Sequence, residues 1–270
     1  MRGDTASTPA QERGLIRAVA LPSEHGGWGL TIEPGLLGLL VAPSLAGLCL
    51  AVAAVLAFVA RTPVKIVLVD VFRRRFLPRT LVALTVALVE VVVLVALVAG
   101  TATTATANDW WLPALVAGPL IAIELWYDMR SRSRRLVPEL AGSVGVAGVT
   151  AMIVLAEGES SALAVGLWIV LAARAISSIT WVRIQVMTMR GRPVNPGESA
   201  WADVVAAAAV GGAVMMRGEL ILGAAAVIAL IVIQRLEARG EPRPVKKIGI
   251  QQMVFGFGVV LITAVGVWVM

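Results

Sequence analysis

The sequence predicts an all-α membrane protein, a polytopic helical bundle of about nine transmembrane helices, on three observations. The chain of 270 residues is 59% hydrophobic and only 15% charged, whereas soluble domains are about half apolar and a quarter charged. Apolar stretches recur along it at close to the length of about 20 residues that spans a bilayer. Lysines and arginines concentrate in alternate segments between these stretches.

The predicted helices follow a short N-terminal tail. Residues 1–22 mix charged and polar residues and lack the uninterrupted apolar core of a signal peptide. We therefore expect a cytoplasmic tail, followed by a single transmembrane helical domain over residues 23–270. The nine helices are predicted at about 26–41, 44–60, 80–100, 109–127, 137–156, 161–182, 200–216, 220–233 and 248–270.

Local signals mark several helix ends. Pro43 separates the first two helices, although Glu33 and Pro34 interrupt the first, and a single long broken helix would reduce the count to eight. Pro63 is expected to stop the second helix. The fourth helix carries an aromatic pair at each end, as expected at the two membrane interfaces. These pairs are Trp110 with Trp111 and Trp126 with Tyr127.

The positive charges predict the orientation. Of the 23 lysines and arginines, all but Arg174 and Arg217 lie in the tail or in the loops after the second, fourth, sixth and eighth predicted helices. Basic loops stay in the cytoplasm, so we expect a plasma-membrane protein with a cytoplasmic N-terminus and an external C-terminus. Topology and anionic membrane lipids account for these charges without nucleic acid.

Ionisable residues inside the predicted helices are candidates for function, because polar groups are costly in hydrocarbon. They are Glu33, Glu90, Glu124, Glu139, Arg174 and Asp203. Arg174 shares one helix face with Ser177, Ser178 and Trp181 at spacings of three, four and seven. This face either presents donors to an anionic head group, or Arg174 pairs with a buried acid such as Glu33, Glu90 or Glu139 while the serines aid packing. Arg183 lies further toward the cytoplasmic end.

Two other clusters are candidate anion-binding sites. In "ARTPVKIVLVD", Arg61 and Lys65 lie at the cytoplasmic end of the second predicted helix, with Asp70 beyond. They either clamp an anion or extend their charged heads to the membrane surface. In "KKIGIQQ", Lys247 and Gln251 begin the ninth helix.

Several chemistries lack the residues they need. A single His and a single Cys exclude a His/Cys metal site built from this chain alone. The sequence contains no G-x-S-x-G nucleophile motif, no Walker loop and no dinucleotide-binding glycine fingerprint. It also lacks a D-x-x-x-D pair to hold Mg²⁺ on a diphosphate. We expect no metal and no cofactor.

Four segments carry a resemblance to a known family. "PSEHGGWGLTIEPGLLGLL", "ARTPVK", "SSITWVRIQ" and "KKIGIQQ" resemble segments of the YwiC-like integral membrane proteins. The resemblance spans nearly the whole chain and implies a multi-pass membrane protein.

A more distant resemblance is to the UbiA prenyltransferase superfamily, whose members are nine-helix bundles with a cytoplasmic N-terminus. That family has Asp-rich Mg²⁺ motifs in the loops after its second and sixth helices. The corresponding loops here offer Arg61, Lys65 and Asp70, and then Arg183 and Gln185. The resemblance thus implies a UbiA-like arrangement without the Mg²⁺ sites, and any prenyl or lipid transfer would be metal-independent.

The segment "SEHGGWG" contains the only histidine and, in such an arrangement, lies near both basic loops. His25 is a candidate for proton transfer or ligand bonding, because an unperturbed histidine titrates near neutral pH, and Glu24 and Trp28 are candidates beside it. The alternative is a helix start, with Ser23 as N-cap and Trp28 at the interface.

Three functions remain open at this point. The first is binding of an isoprenoid, quinone or other amphiphile with an anionic head, with or without enzymatic activity. The second is a non-catalytic membrane subunit or assembly partner of a larger complex. The third is a transporter, for which intramembrane charges are suited, although no inverted repeat is evident.

Overall fold

A computed structural model describes residues 27–130, 135–240 and 243–270 of the chain, and it is all-α over these ranges. They contain nine α-helices and one turn of 3-10 helix, Gly218–Leu220. The α-helices are α1 (Gly27–Val41), α2 (Leu45–Phe72), α3 (Pro78–Thr104), α4 (Leu112–Met129), α5 (Leu136–Ala156), α6 (Ser161–Met189), α7 (Pro196–Met216), α8 (Ile221–Glu237) and α9 (Val245–Val269).

Eight of these helices, α2 to α9, are long and apolar enough to cross a membrane. The chain is therefore a multi-pass membrane protein. Helix α1 has 15 described residues, about 22 Å at 1.5 Å per residue, and it begins at the first residue that the structure describes. Residues Ala42 to Ser44 separate it from α2, so the first apolar stretch forms two helices. The predicted tail, residues 1–22, and the candidates Glu24 and His25 lie outside the described residues.

Helices that follow one another in sequence run antiparallel. In the pair α2 and α3, Asp70 bonds to Thr80 at one end and the carbonyl of Ala46 bonds to Thr101 at the other. We call the end that holds the start of α1 and α3 and the end of α2 the basic end. Among the described loop residues, Arg217 is the only lysine or arginine at the opposite end. The charge asymmetry predicted from sequence is thus present in the bundle.

Two predicted helix ends were wrong. Pro63 does not stop α2, which continues to Phe72. Proline removes one backbone N–H, but membrane helices tolerate this loss where neighbouring helices pack around it. Likewise α6 continues to Met189. Four charged residues therefore project from helices and not from loops, and the helix geometry sets the direction of their side chains. They are Arg61, Lys65, Asp70 and Arg183.

Helix α1 is packed among α2, α5, α6 and α9. Small residues permit this close approach: a Cβ added at Gly38 would lie 2.8 Å from Ile153 Cβ, and one at Gly35 would lie 3.0 Å from Ala51 Cβ. The hydroxyl of Thr150 on α5 donates to the carbonyl of Pro34 at 2.8 Å. Helix α1 consequently forms part of the interior wall of the bundle.

Candidate functional site

A cavity of about 1040 Å³ lies between α1, α2, α3, α4, α5, α6 and α9. Its volume is at the upper end of the range for ligand pockets, roughly 300–1,000 Å³. On α5 the lining runs from Glu139 to Met152, a distance of about 20 Å. Most lining side chains are apolar, and the charged ones occupy the half toward the basic end. The charged lining residues are Arg61, Glu124, Glu139, Arg174, Arg183, Arg190 and Arg192.

Arg174 lies in the middle of α6 and pairs with Glu33 of α1. The Arg174 Nη2 and Glu33 Oε1 atoms are 3.0 Å apart, and the two side chains are 3% and 2% exposed. Arg174 Nη2 also donates to the backbone carbonyl of Gln252 at 2.6 Å. Of the two roles that the sequence left open for Arg174, the structure shows the ion pair with a buried acid.

Gly256 on α9 provides the space for this ion pair. A Cβ at this position would overlap the Glu33 carboxylate and the Arg174 guanidinium. Any larger residue would therefore displace one of the two charged groups. Gly258 lies two residues further along α9, and its added Cβ would meet nothing within 4 Å.

The serines predicted on the Arg174 face bond to neighbouring helices. Ser177 donates to Asp203 Oδ1 of α7 at 2.7 Å, and Ser178 accepts from Gln234 Nε2 of α8 at 3.2 Å. Trp181 is buried and donates from its indole N–H to the backbone carbonyl of Gln234 at 2.8 Å. Trp181 is therefore a buried contact between α6 and α8.

Gln234 joins this network to the cavity. Its Nε2 also donates to Gln252 Oε1 at 3.3 Å, and Gln252, Ser178 and Arg174 line the cavity. At the other side of the network, Asp203 accepts from Arg235 at 2.5 Å. The sequence analysis did not single out Gln234, because a lone glutamine near a helix end carries no periodic signal.

Arg61 and Lys65 face α4. Arg61 Nε lies 2.9 Å from Asp128 Oδ2 and its Nη1 lies 2.7 Å from Glu124 Oε1. Lys65 Nζ lies 3.1 Å from Asp128 Oδ1. The cluster holds two positive and two negative charges. The sequence analysis missed Asp128, although Glu124 and Asp128 repeat on α4 the spacing of four that Arg61 and Lys65 have on α2.

The remaining predicted site residues lie away from the cavity. Asp70 is buried where α2 meets α3 and accepts from the Thr80 hydroxyl at 2.7 Å. Lys247 is exposed, and Gln251 donates to Glu237 at 2.5 Å. Trp28 packs edge-on against Phe58 with 5.1 Å between ring centroids. Gln252, one position after Gln251, is the α9 glutamine at the cavity.

Two buried donor atoms of the residues around this ion pair have no hydrogen-bond partner within residues 27–130, 135–240 and 243–270. They are Arg174 Nε and Gln252 Nε2. The same ranges contain no group of three or more His, Cys, Asp or Glu residues that could hold a metal ion. The site therefore offers unpaired donors beside an apolar cavity.

The family model described as YwiC-like protein matches residues 21–154. This range covers almost all of α1 to α5, including Glu33, the Arg61 cluster and the α5 wall of the cavity. Comparison with curated proteins and with solved structures finds no match.

Replacing Gly256 by alanine should destabilise the bundle. The added methyl group must push apart the Glu33 carboxylate and the Arg174 guanidinium, and overpacking of this kind costs about 1–3 kcal/mol. The matched control is Gly258→Ala, which should be neutral or stabilising by up to about 1 kcal/mol, because alanine is the better helix former. Thermal unfolding of both variants in detergent checks this, and equal melting temperatures would contradict the assigned packing.

Proposed function

The chain belongs to the YwiC-like family, and we propose that it binds an amphiphile with an anionic head, such as an isoprenoid or quinone-like lipid, in the central cavity. The observation that carries this proposal is the distribution of the lining residues. Apolar side chains form the deep half, and arginines are concentrated toward the basic end. A lipid chain suits the deep half, and an anionic head group suits the half toward the basic end.

The charge balance of the lining favours an anion. Five arginines line the cavity against two glutamates. Arg61 and Arg174 already have acidic partners. Arg190 and Arg192 are exposed where α6 ends, at the basic limit of the lining. Arginine binds phosphate and carboxylate oxygens through a planar fork of donors, so these two residues are the proposed head-group contacts.

The deep half suits an apolar chain. Its walls come from apolar residues such as Ala117, Val149 and Met152. Burying hydrocarbon stabilises a complex by about 25 cal/mol per Å² of apolar surface. The antiparallel order of nine helices supports a UbiA-like arrangement as part of the proposal. Arg and Lys stand where that superfamily uses Asp. Any enzymatic activity is therefore proposed to be metal-independent.

Changing both rim arginines should weaken binding of an anionic amphiphile. Hexadecyl phosphate is the probe, with hexadecanol as its uncharged counterpart. Hydrogen bonds to charged groups contribute about 1.5–3 kcal/mol, so Arg190→Gln with Arg192→Gln should raise the Kd for hexadecyl phosphate about tenfold or more. Binding of hexadecanol should change little. Titration calorimetry in detergent measures both.

Arg239→Gln is the matched control for this experiment. Arg239 is equally exposed at the basic end but does not line the cavity, so its loss should leave the Kd unchanged. If all three arginine substitutions weaken binding alike, general attraction to the basic end would explain the affinity, and the proposed site would be wrong. The absence of any binding to wild-type protein would also reject it.

We also propose that the basic end faces the cytoplasm of a plasma membrane, because basic loops are retained there. In a Cys49→Ala background, Glu157→Cys at the opposite end should react with a membrane-impermeant maleimide in intact cells. Arg239→Cys should react only after permeabilisation. The reverse labelling pattern would overturn the orientation.

A further inference from the structure

The middle of the cavity wall carries a second polar feature, separate from the rim arginines. We infer that Arg174 and Gln252 form a subsite for an uncharged carbonyl oxygen. This inference rests on the proposed function, because it adds a polar group to the ligand that the cavity would take. It concerns a different depth of the cavity and different residues, so it can be tested on its own.

The first reason is the presence of unused donors. Arg174 Nε and Gln252 Nε2 have no hydrogen-bond partner in the part of the chain that the structure describes. The two residues are 3% and 9% exposed and both line the cavity. A buried donor without an acceptor costs about 1–3 kcal/mol. An acceptor that enters the cavity would recover this free energy.

The second reason is the proximity of the two donors. Arg174 Nη2 already donates to the backbone carbonyl of Gln252 at 2.6 Å, so the two residues are in direct contact. A carbonyl oxygen has two lone pairs and can accept two N–H donors. One carbonyl group on a ligand could therefore satisfy both.

The third reason is the local charge, which disfavours an anion at this depth. Glu33 Oε1 lies 3.0 Å from Arg174 Nη2 and neutralises the guanidinium. A second anion would leave an uncompensated negative charge in a buried setting, which is strongly unfavourable. A neutral acceptor adds no charge. Along α6, Arg174 is about 24 Å from Arg190, so the carbonyl and the anionic head occupy different depths.

Gln234 acts as the positioning residue of this subsite. It is 1% exposed, and its Nε2 donates to both Gln252 Oε1 and Ser178 Oγ. The amide oxygen of Gln252 is thus already engaged, and its Nε2 group is the part of the side chain without a partner among the described residues. The hydrogen-bond network across α6, α8 and α9 fixes this orientation.

The test uses a long-chain ketone and an infrared measurement. 2-Pentadecanone labelled with ¹³C at the carbonyl is added to the protein in lipid nanodiscs, where isotope editing separates its stretch from the lipid esters. Donation by Arg174 and Gln252 should lower the carbonyl frequency relative to ketone in protein-free nanodiscs. The lowered band should be lost or weakened in Gln252→Leu. It should persist in Gln251→Leu, the neighbouring glutamine that bonds to Glu237 instead.

The wild-type spectrum decides the inference even if a variant fails to fold. Ketone that stays at its protein-free frequency in wild type would overturn it, and so would a lowered band that survives Gln252→Leu. Hexadecyl phosphate binding, measured on the same preparation, keeps the two proposals distinguishable. If hexadecyl phosphate binds but the ketone band is not lowered, only the carbonyl subsite is rejected. If the ketone band is lowered but hexadecyl phosphate does not bind, the proposed site for an anionic head group is rejected.

Discussion

The architecture depends on one buried ion pair, between Glu33 of α1 and Arg174 of α6. Both side chains are nearly inaccessible, and either charge alone would carry a desolvation cost of several kcal/mol. The pair therefore holds α1 against α6 inside the bundle. Gly256 on α9 leaves the room that this arrangement needs. Removing the constraint would free α1, which forms one wall of the cavity.

The other charges between helices follow the same rule of local compensation. Arg61 and Lys65 meet Glu124 and Asp128 between α2 and α4, and Arg235 meets Asp203 between α8 and α7. These clusters join helices that are distant in sequence and add little net charge to the interior. Positive charge at the rim, from Arg190 and Arg192, is the part of the lining that remains suited to an external anion. The proposed binding of a lipid head group at the rim and the proposed carbonyl subsite at Arg174 therefore involve different residues of one cavity.

Sequence predicted the helix count, the segregation of charge and the family, because hydrophobic length and the distribution of lysine and arginine are local properties. It also identified Arg174, and Glu33 as one of its potential partners, from the cost of charge in hydrocarbon. It was wrong at Pro63, where contacts between α2 and its neighbours outweigh the lost backbone hydrogen bond. It chose Gln251 and not Gln252 because two adjacent glutamines on a helix point about 100° apart, and only packing decides which one meets the cavity. Asp128 and Gln234 acquire their roles from partners 63 and 56 residues away, which no local pattern reveals.

The central claim is that Glu33 and Arg174 stabilise the bundle as a pair, and a double-mutant cycle tests it most directly. The free energy of unfolding in mixed micelles is measured for wild type, Glu33→Leu, Arg174→Leu and the double variant. Breaking a buried pair from one side costs about 3–5 kcal/mol, whereas removing both charges costs much less. We expect the free energy of unfolding of the double variant to be at least as large as that of the less stable single variant. Additive losses in the double variant would show that the two charges act independently and would contradict it.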